Sequence, residues 1–383
     1  MEGLSSVSVH RHGGKCYRRS RDGEFRVKVV IFEARPSDVC DFLLNGAVVE
    51  RLESYKYLGF VFHATRKLTC GTDALVATAR KALFAMRRRC ALLGIRDPAL
   101  QCKLFDTLVL PILSYGCEVW GVDDKCSIAA EVLHRGFLKH LLGVRKSTAN
   151  AMVLAELGRF PLQIHFWQQI LRYHHRTIAL DNTRLVKLAM VDGFTLDTTQ
   201  SSQTAAKDNW QYHLGVFLHE HTGQQQLFHQ FDIAFIVERA KHKHAFQYFT
   251  DVEHSSLVLY RTLQPEYRYA DYLSTVKCLS NRRLLSRFRS GCHGLRVDTG
   301  RWADNAHIDR ADRLCLVCKS LDYVQDEQHF AFDCPAYNHI RAKHVNLFQH
   351  SYTVASFMFM CEPNACGGFL RECFACRKNI LTV

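Results

Sequence analysis

Hydrophobic and polar positions along the chain first alternate and then recur at helical spacing. Over residues 24–34, EFRVKVVIFEA sets Phe25, Val27 and Val29 among charged neighbours, the period-two pattern of a half-buried strand. FLLNGAVVE then places Asn45-Gly46 between two apolar runs, a pair that accepts the positive φ angles of a two-residue hairpin turn. A further aromatic-rich run, YKYLGFVFH at 55–63, reads as another strand. Together these predict a short antiparallel β region over 1–70.

From 75 to 95 the period lengthens. Val76, Ala79, Leu83, Met86, Cys90 and Leu93 recur at steps of three and four, the buried stripe of an amphipathic helix. Arg80, Lys81, Arg87 and Arg88 fall one and two positions past that stripe and line one flank of it. Asp97-Pro98 supplies an N-cap and a proline at the first helical position of a segment running to Trp120, apolar nearly all round and kinked at Pro111. A third helix over 128–142 ends at Gly143, with Ser147 or Thr148 expected to cap the next. The run LQIHFWQQILRYHHRTIAL at 162–180 is again amphipathic, and Trp167 and Tyr173 are expected in packing rather than in base stacking. TLDTTQSSQTAAKD at 195–208 has no apolar period and reads as a linker. The predicted class is α+β, mainly α: a β region at 1–70, a helical bundle at 71–194, the linker, a helical connection at 209–280 and a basic C-terminal region at 281–383.

Composition and charge narrow the function classes. The chain has 383 residues, 48% of them hydrophobic, enough for two or three domains with cores of their own. A formal net charge of +13 favours an anionic partner, most often nucleic acid. The longest apolar candidate for a membrane span, 108–122, carries Pro111 and Glu118, and the N-terminus lacks the apolar core of a secretory signal. With 16 cysteines and no such signal, a reducing compartment is expected, nucleus or cytoplasm, where thiols are buried or bind metal.

The sharpest chemical signal is RLCLVCKSLDYVQDEQHFAFDCPAYNHIR, in which Cys315, Cys318, His329 and Cys334 fall as C-x2-C-x10-H-x4-C. Three thiolates and an imidazole complete the tetrahedral shell of a structural Zn2+, and C-x2-C lets one tight turn aim two sulfurs at one ion. His339 is the alternative fourth ligand. Cys361, Cys366, Cys373 and Cys376 sit in a terminal amphipathic pattern and read as core thiols. Arg282, Arg283, Arg287, Arg289, Arg296 and Arg301 precede the cluster, and Arg341 and Lys343 follow it. Arginines fork onto phosphate oxygens, so these are candidate nucleic-acid contacts along with Arg80, Lys81, Arg87 and Arg88. His293 has no acid or nucleophile beside it in sequence and reads as structural or RNA-contacting.

SYKYLGFVF, LFDTLVLPILSYGCEVWG, FLKHLLGVRKSTANAMVLAELGRFPL, NRRLLSRFRSGCHGLRVDTGRW and the cysteine-histidine stretch occur in that order. As a set they resemble the C-terminal part of non-LTR (LINE-type) retrotransposon reverse transcriptases. The resemblance implies that Tyr57, Leu58 and Gly59 form a primer-grip-like hairpin, that the helices after it are a thumb packing on template-primer, and that the cysteine-histidine stretch is a zinc knuckle. It implies an RNA or RNA/DNA partner and other proteins of the element. The polymerase chemistry of that family needs palm aspartates upstream of the primer grip, where this chain has no Asp-Asp pair. The pair Asp123-Asp124 lies downstream and reads as a polar helix start. No catalytic residue is therefore expected, and the expected function is nucleic-acid binding without chemistry. A zinc-stabilised protein-interaction module and a fragment of an active RNA-directed DNA polymerase are the alternatives.

Overall fold

The computed structural model describes residues 9–10, 13–19, 25–31, 42–44, 46–65, 68–199, 209–223, 231–253, 258–300, 302–303, 306–349 and 351–382. The chain is α+β and mainly helical, as its patterning predicts. It divides into two compact units, each drawn from three segments: Met1–Ala85, Asp106–Glu131 and His165–Ile233 in the first, Met86–Phe105, Val132–Ile164 and Ala234–Val383 in the second. Asn45 and Arg301 lie outside the described residues.

In the first unit the predicted strand over 24–34 forms as Phe25–Val30, paired antiparallel with Gly13–Arg19 and parallel with Glu50–Arg51. Val29, Val30 and Ile31 are buried in succession, so this end of the strand is covered on both faces instead of one. Leu43–Leu44 pairs with Ala47–Val48 across Gly46, whose φ of +80° matches the expected turn. The run at 55–63 is not one strand but a hairpin, Ser54–Tyr57 against Phe60–His63. Its turn is Leu58-Gly59, with φ of 46° and 90°. Positive φ at both turn residues matches the right-handed twist of the strands, which is why Leu58 tolerates a conformation that L side chains resist. Trp120 meets Phe166 edge to face at 5.1 Å, and Trp167 stacks on Phe217 at 4.1 Å. Trp167 and the half-buried Tyr173 thus serve packing, as expected.

The long helix spans Thr69–Leu92; Val76, Ala79, Leu83, Met86 and Cys90 are buried on it, while Leu93 lies past its end and is exposed. The segment expected to kink at Pro111 breaks instead, into Pro98–Leu108, Leu110–Leu113 and Cys117–Trp120. Pro111 sits in the first turn of the middle piece, where its missing N–H costs nothing. Asp97 caps as predicted, its Oδ1 accepting from Ala99 N–H at 3.0 Å. Asp124–Leu142 ends at Gly143, φ +70°. The next helix, Asn150–Glu156, is entered through Ala149 with no side-chain cap, so neither Ser147 nor Thr148 plays the expected part. Helix Leu185–Thr199 occupies the first residues of the predicted linker, and 200–208 lie outside the described residues.

The second unit packs helix Leu279–Arg289 along Pro363–Thr382. The approach is close: a Cβ on Gly367 would meet Asn281 Cβ at 2.7 Å. Phe288, Phe330, Phe357 and Phe369 fill the adjoining core, and Cys366 and Cys373 are buried on the C-terminal helix as core thiols. Among the described residues no helix is long and apolar enough to cross a membrane.

Candidate metal centre and basic surface

A short antiparallel return positions the C-x2-C turn. Cys315 N–H donates to Tyr323 O at 3.0 Å and Gln325 N–H to Arg313 O at 2.9 Å, around a Leu314–Val324 bridge. Between them the chain turns on Lys319, φ 56°, whose N–H closes back on Cys315 O at 3.1 Å. The ten-residue gap is thus spent on a turn and a returning strand that ends beside the cysteines.

His329 opens a single π-helical turn, His329–Asp333. Its N–H is held by Asp326 Oδ1 at 2.9 Å, and Cys334 N–H bonds His329 O at 2.7 Å. The wider i→i+5 ring brings Cys334 onto the side of the turn that His329 faces; such turns recur at functional sites. Cys334 O is in turn held by Arg341, at 2.5 Å.

The four side chains converge. Their candidate ligand atoms all lie within 4.8 Å of one another, with Cys315 Sγ to Cys334 Sγ at 4.0 Å and Cys318 Sγ to His329 Nε2 at 3.4 Å. Tetrahedral zinc with ordinary Zn–S and Zn–N bonds sets ligand atoms about 3.4–3.8 Å apart, so the spacing fits an ion at the centre. Cys315, His329 and Cys334 are buried and Cys318 is half-buried. His329 is the fourth member; His339 is exposed and stands apart from the cluster. The Cys334 hydrogen bond holds the Cys315 thiol well below its ordinary range, against burial, while the same bond and burial push the Cys334 thiol up.

Gln325 is a member that spacing rules do not find. Fully buried, it donates from Nε2 to Cys315 Sγ at 3.5 Å, while its Oε1 accepts from Arg296 N–H at 3.1 Å and from Arg377 at 3.2 Å. Its only sequence signal is a polar residue on the strand that returns beside Cys315. His329 Nδ1 is buried without a hydrogen bond, and the ring is oriented by stacking on Tyr323 at 5.2 Å. His293 is structural: its side chain is fully buried, Nδ1 accepts from Leu295 N–H at 3.1 Å, and Nε2 pairs with Glu327 at 2.8 Å.

The basic residues divide. Arg80, Lys81 and Arg88 are exposed on the Thr69–Leu92 helix and Arg87 is half-buried. On Leu279–Arg289, the expectation of phosphate contacts is corrected for two of four arginines. Arg282 is buried and donates to Val276 O at 3.1 Å and to Arg96 O. Arg289 is buried against Glu156, Nε to Oε1 2.7 Å, and also bonds Leu263 O and Gln264. Seven positions apart, these two share the inward face. Arg283 and Arg287 look away from it, half-buried and exposed respectively. Arg296 and Arg341 are half-buried and Lys343 is exposed. In the first unit, the exposed tip of the Leu58-Gly59 turn is fixed by Tyr115, whose hydroxyl donates to Leu58 O. The hairpin walls a cavity of about 720 Å³ lined by Tyr57, Leu58, Phe62, Tyr115 and Trp120. Asp123 Oδ1 caps the Asp124–Leu142 helix through Lys125 N–H at 2.9 Å, the helix-start role its position suggested.

Comparisons with protein-family models, with curated proteins and with solved structures found no match.

Proposed function

We propose that this chain is a nucleic-acid-binding protein akin to the thumb and zinc-knuckle part of non-LTR retrotransposon reverse transcriptases, acting without polymerase chemistry of its own. Cys315, Cys318, His329 and Cys334 hold a structural zinc ion, and exposed arginines and lysines contact the phosphate backbone of RNA or of an RNA/DNA duplex. The observation that carries this reading is the convergence of the four ligands from C-x2-C-x10-H-x4-C into one tetrahedral-sized cluster, in a chain with a net charge of +13. The Leu58-Gly59 hairpin, which occupies the primer-grip-like place in the order of motifs, supports it further. The proposed setting is intracellular, where reduced cysteines stay available to metal.

Two measurements on the purified full chain test the reading: metal content, and binding of mixed-sequence RNA and RNA/DNA duplex across a salt series. Bound zinc at one equivalent, with an affinity that falls steeply with salt for both polymers, is the expected result. Zinc-free protein, or protein indifferent to both polymers at low salt, refutes it. Preference for acidic polypeptide over RNA would transfer the basic surface to a protein partner instead.

A further inference from the structure

The first unit holds a cavity to which the proposed function gives no task. Its described lining residues all belong to that unit and come chiefly from the hairpin Ser54–Tyr57 and Phe60–His63, from the broken segment 106–120 and from helix Leu162–Ile178. The volume of about 720 Å³ falls inside the range of roughly 300–1,000 Å³ that small-molecule sites occupy.

The walls are aromatic and held in place. Tyr57, Phe60, Phe62, Tyr115 and Trp120 all line the cavity. Phe60 is buried and meets Phe62 edge to face at 5.3 Å. Its ring occupies the space that a side chain at residue 71 would need, since a Cβ on Gly71 would lie 2.2 Å from it. Trp120 Nε1 donates to Tyr115 O at 3.0 Å, and the Tyr115 hydroxyl donates to Leu58 O. Ser114, also in the lining, donates its hydroxyl to Leu110 O at 2.9 Å.

Those bonds decide what the cavity offers a ligand. The donors of Ser114, Tyr115 and Trp120 are all engaged inside the protein, so the two rings present π-surface and the two hydroxyl oxygens present lone pairs. Glu118 lines the cavity four residues past Ser114 and brings a carboxylate. It is half-buried and, among the described residues, forms no ion pair; its backbone O accepts from Trp210 Nε1 at 2.8 Å. Ring faces attract cations through their quadrupole, and a half-buried carboxylate favours a positive partner while repelling phosphate. The net charge of +13 draws anions to the molecule as a whole, whereas this cavity suits the opposite sign.

We propose that the cavity binds an organic ammonium ion with an aromatic body, a free small molecule. The aromatic walls stack on the body and face the cationic head, and Glu118 supplies its counter-charge. A trimethylammonium group alone would leave most of the space empty, which is why a ring-bearing ligand fits better. The inference stands apart from the nucleic-acid reading: the cavity would work in the same way if the chain bound no polynucleotide.

The test uses the full chain and two probes of one shape. In 4-hydroxyphenyltrimethylammonium a charged nitrogen replaces the central carbon of the tert-butyl group of 4-tert-butylphenol, and calorimetric titration measures both. Wild type is expected to bind the cation at least about tenfold more tightly than the neutral probe. Glu118→Gln should weaken the cation about tenfold and leave the neutral probe within about twofold, so that the preference collapses. Glu53→Gln removes the same charge at an exposed acid outside the lining and should preserve the preference. Tyr57→Leu, which takes away one exposed ring and keeps an apolar wall, should weaken the cation about threefold. Equal affinity for the two probes, or binding of neither, overturns the proposal, as does tighter binding of phenyl phosphate than of the cation. A trimethyllysine peptide carries the same head without the ring and should bind more weakly; tighter binding would overturn the small-molecule assignment and make the cavity a reader of protein tails. If Glu118→Gln does not fold, Tyr57→Leu decides: an unchanged preference for the cation rejects the aromatic site.

Discussion

Two buried polar nodes tie the second unit together, and they differ in how far apart their members lie in the chain. The Cys315, Cys318, His329 and Cys334 cluster is assembled within one turn, one returning strand and one π turn. The Glu156–Arg289 node is assembled across 133 residues, with Tyr260 donating to Glu156 Oε2 at 3.0 Å and Arg289 lying over the Tyr272 ring at 5.0 Å. Local spacing carries the chemistry of the first. Nothing local to residue 156 or 289 announces the second, because an arginine in a basic stretch has the same sequence whether it faces solvent or a carboxylate. The comparison teaches that a short-range node can be read from residue types, whereas a long-range one is visible only once the chain has closed on itself.

Breaking the first node should have the larger effect. Structural zinc contributes on the order of 10 kcal/mol to folding small modules of this kind, so Cys318→Ser or strong chelation is expected to release the segment around 313–341. Hydrogen exchange and limited proteolysis would register this as lost protection there. His329→Ala should weaken metal retention, while His339→Ala and Cys373→Ser should retain one equivalent, since His339 is exposed and Cys373 belongs to the helical core. Full metal content in His329→Ala would take the fourth ligand away from His329.

Breaking the second node should cost less but more than any surface change. Side chains of Arg289 and Glu156 are only 9% and 4% exposed, so Glu156→Leu strands a buried guanidinium, at about 3–5 kcal/mol. Changing both, Glu156→Leu with Arg289→Met, should recover much of that loss, because the uncompensated charge goes with its partner. Chemical denaturation of the single and double variants measures the difference. A double variant less stable than Glu156→Leu alone would mean that Arg289 works chiefly through Leu263 O, Gln264 and the Tyr272 ring.

A smaller effect is expected at Gln325, which touches Cys315 without being a ligand. Outer-shell partners of metal sites typically change metal affinity by about 10–100-fold. Gln325→Ala should therefore lower zinc affinity in a competition titration with a chromophoric chelator, by about tenfold, while leaving the stoichiometry at one. Gln325→Glu adds a carboxylate between Arg296 N–H and Arg377, and should retain metal better than Gln325→Ala.

The elements most legible in the sequence were those governed by one period or one spacing. The stripe Val76, Ala79, Leu83, Met86 and Cys90 is buried on the helix it predicted, and the four cluster residues meet as their spacing required. Where a second influence acted, patterning alone fell short. The segment expected to kink once at Pro111 is broken twice, the second time before Cys117 at Gly116, φ 69°. The polar start of 195–208 is still helical. Arg282 and Arg289 were indistinguishable in sequence from Arg283 and Arg287, because a seven-residue step on a helix selects a face without saying which face is inward. The two units are interleaved from three segments each, an arrangement that no linear boundary can express.

The smallest effect sharpens the distinction between local and long-range control at the Leu58-Gly59 turn. Both residues have positive φ, and a type I′ turn favours Asn-Gly there over Leu-Gly. Left-handed backbone costs an ordinary L residue roughly 1–2 kcal/mol, less for asparagine, and the Leu58 side chain is 73% exposed, so little burial offsets that cost. Leu58→Asn is accordingly expected to stabilise the first unit by about 0.5–1 kcal/mol, read as a higher denaturant midpoint with an unchanged slope. If local backbone preference governs the turn, that gain appears and binding of RNA is unaffected. If the exposed leucine is retained for a contact made by the hairpin tip, the gain in stability comes with weaker binding of RNA/DNA duplex. A loss of stability would instead mean that Leu58 packs into the Tyr57, Phe62 and Tyr115 cavity strongly enough to outweigh its backbone.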